Sequence, residues 1–434
     1  MPSLVAVLGA GRVGTTIAAA WIRTGATVFL YDVSIERVKK LKNGIPLYKD
    51  EPYIDEVLKG ALHDRFYPTN DPEEAIANAD SIFIAVPVGL KDGKADLSYL
   101  SKAADDIARF LKRGSMVVLE TSVPPGTTRC FLKEKIEAKS NIKAGKDFFL
   151  AYSPERISEG RALKDLEENY PKVVAGLERK SLDKVASLYS HIAKKGIIRM
   201  SSLEAAEAEK LFEGIYRDVN IALANQLASF CEKAGLDYWE IMSAANSQPF
   251  CHLHRPGSGV GGACIPVYPV FISNLADDMR VDLSVVKAAR EENESQPIEV
   301  AEAAIKFSSA NKGDKITILG LAFRGDVSDD RLSPTYPIAS YLKEKGFKVW
   351  VHDPICRPSK ATDDFTFTSS LKEAIDGAKL LLISTDHSEY KKLNFEEIIS
   401  KNSTIFIYDA RGILKSKKYK RIHIIGSSSN NSDI

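Results

Sequence analysis

A short glycine loop near the start of the chain constrains the fold more than any other feature. Gly9, Gly11 and Gly14 follow the apolar run at residues 4–9 and precede an amphipathic stretch, and Asp32 ends the next apolar run. Glycines at this spacing let the backbone turn tightly and approach a pyrophosphate, whose charge the following helix N-terminus stabilises. The loop therefore predicts a strand–loop–helix unit that binds a dinucleotide.

The acidic residue after the second apolar run indicates which dinucleotide binds. A carboxylate at Asp32 can accept hydrogen bonds from the adenosine ribose, and it would repel a 2′-phosphate. This favours NAD over NADP as the cofactor. A tight glycine turn without a ligand is the alternative, and the register of strand, helix and acid disfavours it.

Apolar and amphipathic segments alternate over the first part of the chain, which predicts a parallel sheet covered by helices. From about Ser202 the spacing becomes helical for some thirty residues without proline, which predicts one long helix capped by Gly235. The alternation restarts near residue 311. The predicted strands are 4–9, 27–32, 81–88, 116–121 and 148–155 in the first part of the chain, and 315–323, 348–354, 379–385 and 404–412 in the last. The predicted fold class is α/β, with two Rossmann-like, doubly wound parallel-sheet domains joined by a central helical domain.

The same pattern predicts the domain boundaries. We expect an NAD-binding domain over 1–200, a helical domain over 201–310 and a second Rossmann-like domain over 311–425. The polar tail at 426–434 is expected to be disordered, and the basic run at 415–421 to be a solvated surface.

Charge and cysteine content narrow the possible partners. Lys and Arg number 59 against 58 Asp and Glu, so no global field attracts nucleic acid or an anionic membrane. No apolar run approaches the roughly 20 residues of a membrane span. Because the N-terminal apolar run ends in a glycine loop rather than a cleavage site, we expect a cytoplasmic protein. Five scattered cysteines without CxxC spacing predict neither a disulfide framework nor a metal site.

Three residues outside the glycine loop have types that suit oxidation chemistry. Cys264 lies among glycines in GVGGACIP, Lys210 lies in the predicted long helix, and Glu155 ends a predicted strand. Each has an ordinary structural alternative, namely a packed thiol, a lysine at a helix edge, and a helix cap or solvated rim. Together with a hydride acceptor, they can oxidise an alcohol to an acid. A thiolate captures the intermediate aldehyde, a lysine stabilises the oxyanions, and water hydrolyses the thioester.

Long motifs along the chain resemble those of the UDP-glucose/GDP-mannose (nucleotide-sugar) 6-dehydrogenase family. The resemblance covers nearly the whole chain and is therefore specific. Besides the glycine loop, the motifs are ETSVPPGTT (120–128), YSPERISEGRAL (152–163), EAEKLFEGIYRDVNIALANQL (207–227), PGSGVGGACIPV (256–267), GLAFRGDVSDDRLSP (320–334) and YDARG (408–412).

This resemblance implies roles for individual residues. Cys264 would be the nucleophile, Lys210 the oxyanion partner and proton carrier, and Glu155 an acid or base at the sugar. The residues implied to bind NAD are Gly9, Gly11, Arg12, Val13, Gly14, Asp32, Arg37, Val88, Ser122 and Arg331. Those implied to hold the UDP-sugar are Arg156, Ile157, Lys210, Arg217, Gly261, Arg324 and Arg411. The resemblance also implies that the second α/β domain binds UDP and that the long helix forms a homodimer.

The motifs YSPER and IYRDVNIALANQL are more similar to the N-acetylmannosamine branch of the family than to the UDP-glucose branch. UDP-N-acetylmannosamine is therefore the first expected substrate and UDP-glucose the second. Against that branch, this chain has Gln248, Phe250 and Ala263 where His, Arg and His are usual. His252, His254 and Arg255 lie nearby and can compensate.

Two further departures bear on the hydrolysis step. Gly214 stands four residues after Lys210, where the family usually has Asn, and Tyr268 stands four residues after Cys264, where it usually has Asp. In the family, those residues help to hold the attacking water. A member that stops at the aldehyde, or a silent subunit that regulates a paralogue, therefore remains an alternative. Retention of Cys264, Lys210 and Glu155 speaks against a silent subunit.

Overall fold

The computed structural model describes residues 3–48, 50–414 and 420–427. These residues form two compact units. The first unit runs to Glu213 and includes Val270–Asp278, and the second comprises Gly214–Pro269 and the chain from Met279 onward. Part of the predicted basic run, at 415–419, and most of the predicted tail, at 428–434, lie outside the described residues.

The first unit is built around an eight-stranded sheet with strand order β10-β9-β8-β7-β4-β1-β2-β3. All neighbouring strands are parallel except β8 and β9. A hairpin of two short strands, β5 and β6 with two residues each, forms a separate antiparallel pair. The strands are β1 Leu4–Leu8, β2 Thr27–Tyr31, β3 Phe66–Thr69, β4 Ser81–Ile84, β5 Leu90–Lys91, β6 Lys94–Ala95, β7 Met116–Leu119, β8 Phe149–Tyr152, β9 Lys172–Gly176 and β10 Ile197–Arg199.

Helices cover both faces of this sheet, because its strands are apolar on both faces and form two buried clusters. Two short π-helices, Thr127–Lys133 and Asp165–Asn169, interrupt the α-helical pattern. The α-helices are α1 Arg12–Arg23, α2 Ile35–Lys42, α3 Pro52–Gly60, α4 Pro72–Ile76, α5 Ser98–Phe110, α6 Glu134–Ser140, α7 Ala162–Lys164 and α8 Arg179–Tyr189.

The predicted long helix is confirmed as α9, which spans Leu203–Ala234 over 32 residues. It ends at Gly235, whose φ of +72° is in the left-handed region that glycine adopts readily. The N–H of Leu236 then donates to the carbonyl of Cys231 at 2.8 Å. This bond closes the helix end in the manner of a Schellman motif, as the position of Gly235 predicts.

The second unit contains a six-stranded sheet, entirely parallel, with strand order β13-β12-β11-β14-β15-β16. The strands are β11 Lys315–Leu319, β12 Lys348–His352, β13 Thr366–Thr368, β14 Ala378–Ile383, β15 Phe406–Asp409 and β16 Ile422–Ile424. The helices after α9 are α10 Tyr238–Ala245, α11 Tyr268–Asp278, α12 Ser284–Ser308, α13 Thr335–Glu344, α14 Leu371–Ile375, α15 Ser388–Lys391 and α16 Phe395–Lys401.

The two parallel sheets with a long helix between them in the chain confirm the predicted fold class. In each sheet the strand order reverses at one central strand, β1 in the first and β11 in the second. Ligands of open α/β sheets bind outside the carboxyl ends of the strands at such points. Within the described parts of the chain, no helix combines the length and apolar character that crossing a membrane requires.

Candidate active site

The predicted glycine loop lies at the carboxyl end of β1. Gly9 has a φ of +104°, and an added Cβ there would lie 2.7 Å from the carbonyl oxygen of Ala85. A Cβ on Gly14 would lie 1.8 Å from the carbonyl oxygen of Gly9, so this glycine is required where α1 packs on the loop. A Cβ on Gly11 would meet nothing within 4 Å. Gly11 therefore faces open space at the N-terminus of α1.

That N-terminus can stabilise an anion. Gly11 is the N-cap of α1 and supplies no side-chain hydrogen bond, and the first turn contains no acidic residue. The leading N–H groups of the helix and its dipole are therefore available to a phosphate. Val13 lies in this first turn, where the resemblance places an NAD contact.

Asp32 lies beside the same loop. Its Oδ2 accepts the N–H of Ala10 at 2.7 Å, and its Oδ1 accepts the N–H of Ser34 at 2.8 Å. The exposed Arg37 donates from Nη1 to the carbonyl of Ala10 at 3.3 Å. The half-buried carboxylate is thus fixed at the loop, and its contact with a ribose stays a prediction. Further along this sheet edge, Val88 follows β4 and Ser122 follows β7, and both are half-buried.

The side chain of Arg12 is held by protein carboxylates. Its Nη1 lies 2.9 Å from Asp50 and 3.4 Å from Glu51, and its Nε lies 3.3 Å from Glu159. The guanidinium also lies over the ring of Tyr48, 4.5 Å from its centroid. These contacts fix the first turn of α1. The side chain of Arg12 therefore has a structural role.

Glu155 lies at the carboxyl end of β8 within a buried ionic group. One oxygen, Oε1, accepts the N–H groups of Arg156 at 2.7 Å and Ile157 at 2.9 Å. The other, Oε2, lies 3.1 Å from Nζ of Lys172, which also lies 2.9 Å from Glu120. Burial raises the pKa of Glu120 to about 7, so this carboxyl can hold a proton near neutral pH. The predicted acid–base residue is thus coupled to a lysine that the sequence did not single out.

A second charged cluster surrounds Lys210 in the first unit. Nζ of Lys210 lies 3.4 Å from Glu213. Arg156 lies 3.2 Å from Glu213 and 3.6 Å from Glu209. Burial, followed by repulsion from Glu213, raises the pKa of Glu209 to about 7. The structure therefore brings two predicted site residues, Lys210 and Arg156, together with two carboxyls that sequence reasoning missed.

Cys264 is exposed, and it lies in a turn that the sequence shapes. Its carbonyl accepts the N–H groups of Val267 and Tyr268, each at 3.0 Å, so a helical turn leads from Cys264 into α11. Upstream, a Cβ on Gly261 would lie 2.7 Å from both Leu332 and Phe323. Glycine is thus required where this segment passes the loop after β11, and the thiol stays accessible.

The four arginines that line one cavity in the second unit are the main electrostatic feature of this region. The cavity has a volume of about 230 Å³. Three of the arginines, Arg217, Arg324 and Arg411, were predicted to hold the UDP-sugar, and Arg255 lies in the irregular loop. Gly261 and Ile265, on either side of Cys264 in the chain, also line it. Arginine side chains suit a diphosphate because they donate bidentate, charge-assisted hydrogen bonds.

One carboxylate balances part of this charge. Asp386 follows β14 and lines the cavity, and its Oδ1 lies 3.4 Å from Nη2 of Arg411. The same oxygen accepts the N–H of Gly325 at 3.1 Å. Although burial opposes it, the charge of Arg411 helps to lower the pKa of Asp386. The sequence offered a signal for Asp386, since it directly follows a predicted strand.

Two further contacts fix the turns that carry site arginines. A Cβ on Gly412 would lie 2.1 Å from Cζ2 of Trp239, whose Nε1 donates to the carbonyl of Ile425 at 2.7 Å. The indole thus packs against the turn that carries Arg411. Arg331 lies on the loop after β11, where its Nε lies 2.9 Å from both oxygens of Asp329.

Comparison with known proteins identifies the family. Three family models match in order: the NAD binding domain of the UDP-glucose/GDP-mannose dehydrogenase family over residues 3–193, its central domain over 204–295 and its UDP binding domain over 317–416. The chain belongs to the UDP-glucose/GDP-mannose dehydrogenase family. It is an NAD-dependent oxidoreductase, and the second sheet belongs to its UDP-binding domain.

Individual members of the family cover almost the full length. The UDP-N-acetyl-D-mannosamine dehydrogenase of Pyrococcus horikoshii is 33% identical, over 95% of this chain and 96% of the relative. An NDP-N-acetyl-D-galactosaminuronic acid dehydrogenase of Ralstonia nicotianae is 30% identical, over 95% of this chain and 97% of the relative.

Solved structures of family members agree with the fold. The UDP-D-ManNAc dehydrogenase of Pyrococcus horikoshii superposes with a TM-score of 0.88 at 31% identity, over 97% of this chain and 99% of that chain. The UDP-N-acetyl-mannosamine dehydrogenase Cap5O of Staphylococcus aureus superposes with a TM-score of 0.85 at 28% identity, over 99% of this chain and 98% of that chain.

The residues of the first unit fit the dinucleotide that the family uses. Gly11 leaves space at an uncapped helix N-terminus, and Gly9 brings the backbone close to the neighbouring strand end. Asp32 is held beside this loop, where it could accept hydrogen bonds from a ribose. Glycine loop and carboxylate thus fit the diphosphate and the ribose that NAD would place there.

Proposed function

We propose that the protein oxidises the C6 alcohol of a UDP-hexose to the uronate, with UDP-N-acetylmannosamine as its substrate. The observation that carries the proposal is the exposed thiol of Cys264, whose chain neighbours Gly261 and Ile265 line the cavity of four arginines. A diphosphate in that cavity would leave the sugar as the part of the substrate available to the thiol. The substrate name of the relatives at 31–33% identity, UDP-N-acetyl-D-mannosamine, supports the choice of sugar.

Cys264 divides the oxidation into steps that a thiol can promote. Loss of a hydride from C6 and of the proton from its hydroxyl gives an aldehyde, and the thiol adds across its carbonyl, sulfur to carbon and proton to oxygen, to form a thiohemiacetal. Loss of a second hydride from C6 and of the thiohemiacetal hydroxyl proton leaves a thioester, and water then hydrolyses it to the carboxylic acid and restores the thiol. NAD supplies the hydride acceptor for both oxidations, so two NADH form for each sugar.

Lys210 and Glu155 would manage charge and protons during these steps. The ammonium of Lys210 can donate a hydrogen bond to the oxyanion that develops in each tetrahedral species. Glu155, held by Lys172 and by two backbone N–H groups, would accept or return a proton at the sugar. These roles are the ones that the family resemblance implies.

Exposed apolar side chains support the proposed homodimer. Tyr216, Leu223 and Phe230 recur at seven-residue spacing on α9 and are 53%, 43% and 60% exposed. Apolar residues at this spacing lie along one stripe of a helix, as in helices that pair. We propose that a second copy of the chain covers this stripe.

A panel of UDP-sugars tests the substrate and the extent of oxidation. The panel comprises UDP-N-acetylmannosamine, UDP-glucose, UDP-N-acetylglucosamine and UDP-N-acetylgalactosamine, each with NAD, followed by absorbance and product mass. We expect turnover with UDP-N-acetylmannosamine and two NADH per sugar. One NADH per sugar would instead support arrest at the aldehyde, the alternative that Gly214 and Tyr268 raise.

The nucleophile is tested by Cys264→Ser, with Cys130→Ser as the matched control because Cys130 is also exposed but lies in the first unit. We expect Cys264→Ser to retain at most a slow first oxidation and to form no acid, while Cys130→Ser behaves as the native protein. Normal uronate formation by Cys264→Ser would rule out the proposed intermediate. Tight binding of both ligands without NADH from any sugar would indicate a silent subunit.

A further inference from the structure

Gly214 occupies an unusual place, because glycine is a poor helix former and this residue lies within α9. An added Cβ would lie 2.4 Å from Cδ2 of Tyr268 and 3.3 Å from its Cγ and Cε2. Real Cβ atoms do not approach other heavy atoms to 2.4 Å. Tyr268 is only 6% exposed, so its ring packs in the protein interior rather than in solvent. The ring therefore fills the space that a side chain at position 214 would need.

Tyr268 is also part of the turn that carries the thiol. Its N–H donates to the carbonyl of Cys264 at 3.0 Å, and Tyr268 is the first residue of α11. The thiol and the ring are thus separated by a single hydrogen-bonded helical turn. A displacement of the Tyr268 ring would move this turn, because the backbone hydrogen bond joins Tyr268 directly to Cys264.

We propose that Tyr268 and Gly214 form a size-complementary pair that fixes the Cys264 turn against α9, which makes Tyr268 a positioning residue for the thiol. The expected effect on catalysis rests on the proposed role of Cys264 as the nucleophile. The packing of Tyr268 on Gly214 does not depend on that role. The two departures from the family pattern are then one coupled change. If the polar pair that the family usually has at these positions were lost without replacement, a cavity would remain. Here the ring of Tyr268 fills that space.

A double-mutant cycle on the full-length chain tests the pair. Gly214→Ala alone forces a methyl group into the ring, and we expect it to lower the melting temperature by several degrees. In a Tyr268→Ala background the ring that the methyl group would strike is absent, and the same change replaces glycine with a better helix former. There we expect it to raise the melting temperature, by roughly 1–3 °C. This reversal of sign is specific to direct contact, and additive effects in the cycle would overturn the proposal.

The rate at which iodoacetamide alkylates Cys264, read by peptide mass, reports the position of the thiol without any substrate. We expect Gly214→Ala and Tyr268→Ala each to change this rate at least about threefold, because alkylation depends on exposure and surroundings. Alkylation of the exposed Cys130 provides the internal control and should not change. Unchanged rates at Cys264 in both variants would show that the pair does not position the thiol.

Two further measurements distinguish the effect of the Tyr268 ring from that of its hydroxyl, and a failure of the pair from a failure of the proposed function. Tyr268→Phe keeps the ring, so we expect it to restore most of what Tyr268→Ala loses in alkylation rate and in kcat. A loss equal to that of Tyr268→Ala would assign the effect to the hydroxyl and overturn the proposal. With substrate, Gly214→Ala should lower kcat more than it raises KM. If no UDP-sugar is oxidised, the proposed function fails, while the melting and alkylation cycles still decide the pair.

Discussion

The two parallel sheets use the same turn after their central strand. Gly9 follows β1 and Gly320 follows β11, with φ angles of +104° and +109°. The N–H of Gly9 donates to the carbonyl of Tyr31 at 2.8 Å, and that of Gly320 donates to the carbonyl of His352 at 2.7 Å. In both sheets an aspartate directly follows the neighbouring strand and accepts a backbone N–H from the loop.

The two aspartates differ in what covers them. Asp32 is half-buried and bonds two backbone N–H groups. Asp353 is 0% exposed, and its Oδ2 lies 3.0 Å from Nε2 of the equally buried His387. Hydrogen bonds lower the pKa of Asp353, although burial opposes the effect. His387 also accepts the N–H of Asp326 on Nδ1 at 3.0 Å, which indicates that its Nε2 carries a proton toward Asp353.

This contrast shows that one local geometry can serve either a ligand or the scaffold. In the first unit, α1 begins three residues after Gly9, and the acid stays available to a ribose. In the second, α13 begins fifteen residues after Gly320, and the sealed acid anchors a long loop that carries Arg324. The buried Asp353 therefore holds a loop whose arginine side chain lines the proposed UDP site. The half-buried Asp32 lies beside a loop whose backbone would bind the cofactor.

The largest expected difference between the two acids is in stability. Asp353→Ala would leave His387, the buried N–H groups of Leu321, Ala322 and Cys356, and the half-buried N–H of Ile355 without their acceptor. We expect a loss of about 3–5 kcal/mol in the free energy of unfolding, as for a broken buried pair. Asp32→Ala is the control and should cost about 1 kcal/mol. Equal losses in urea unfolding would show that the burial difference has no energetic consequence.

Ligand affinity should show the opposite order. Asp32→Ala removes a charged acceptor for the ribose, so we expect the Kd for NAD to rise roughly 10–100-fold while the affinity for UDP is unchanged. Arg411→Ala removes a charged donor from the cavity and should weaken UDP by a similar factor without affecting NAD. Isothermal titration with NAD and with UDP measures both. An effect of either variant on the other ligand would contradict the division between the two regions.

Two glycines of the first loop, Gly14 and Gly11, differ in the space around them and therefore in their expected roles. Gly14→Ala places a Cβ 1.8 Å from a backbone oxygen, so we expect a loss of about 1–3 kcal/mol in stability. Gly11→Ala meets no atom within 4 Å and should leave the unfolding curve unchanged while weakening NAD. Thermal unfolding with and without NAD separates these effects. Equal destabilisation by both variants would contradict the assignment.

The smallest expected effect concerns pH. The pKa of Glu209 is about 7 in the folded chain against an ordinary value of 4.5. A carboxyl with a raised pKa stabilises the fold fully at low pH, and this contribution is lost as pH rises through about 7. The lowered pKa of Asp353 acts in the opposite direction, and its contribution is lost only in acid.

We therefore expect Glu209→Gln to reduce the fall in stability between about pH 5 and about pH 8 by ~1 kcal/mol. Glu204→Gln is the matched control on the same helix, because the hydrogen bond from Arg129 lowers the pKa of Glu204. That variant should leave the slope unchanged over this range. Urea unfolding across the range measures both, and an unchanged slope in Glu209→Gln would contradict the shifted pKa.

The sequence predicted those features that depend on local spacing. The glycine loop, the long helix and the helix end at Gly235 were confirmed. Predicted strands extended too far at their carboxyl ends, and the run at 81–88 forms a strand only over Ser81–Ile84. The apolar residues that follow leave the sheet and line the edge where ligands bind, so hydrophobicity alone cannot locate the strand end.

The sequence could not predict features that depend on distant partners. The strand Lys172–Gly176 was missed because it begins with a buried lysine, whose charge is balanced by Glu120 and Glu155, 52 and 17 residues away. The sealing of Asp353 by His387 spans 34 residues. The packing of Tyr268 on Gly214 was likewise invisible, since each position taken alone indicated only a lost polar group.

The position of Trp239 gives the chain a built-in optical signal. Its indole packs against Gly412, the residue next to Arg411, which lines the cavity of four arginines. Of the other two tryptophans, Trp21 is completely buried in a core cluster of the first unit, and Trp350 lies in β12 of the second. We therefore expect UDP in the second unit to change the intrinsic fluorescence through Trp239, without a label and without turnover.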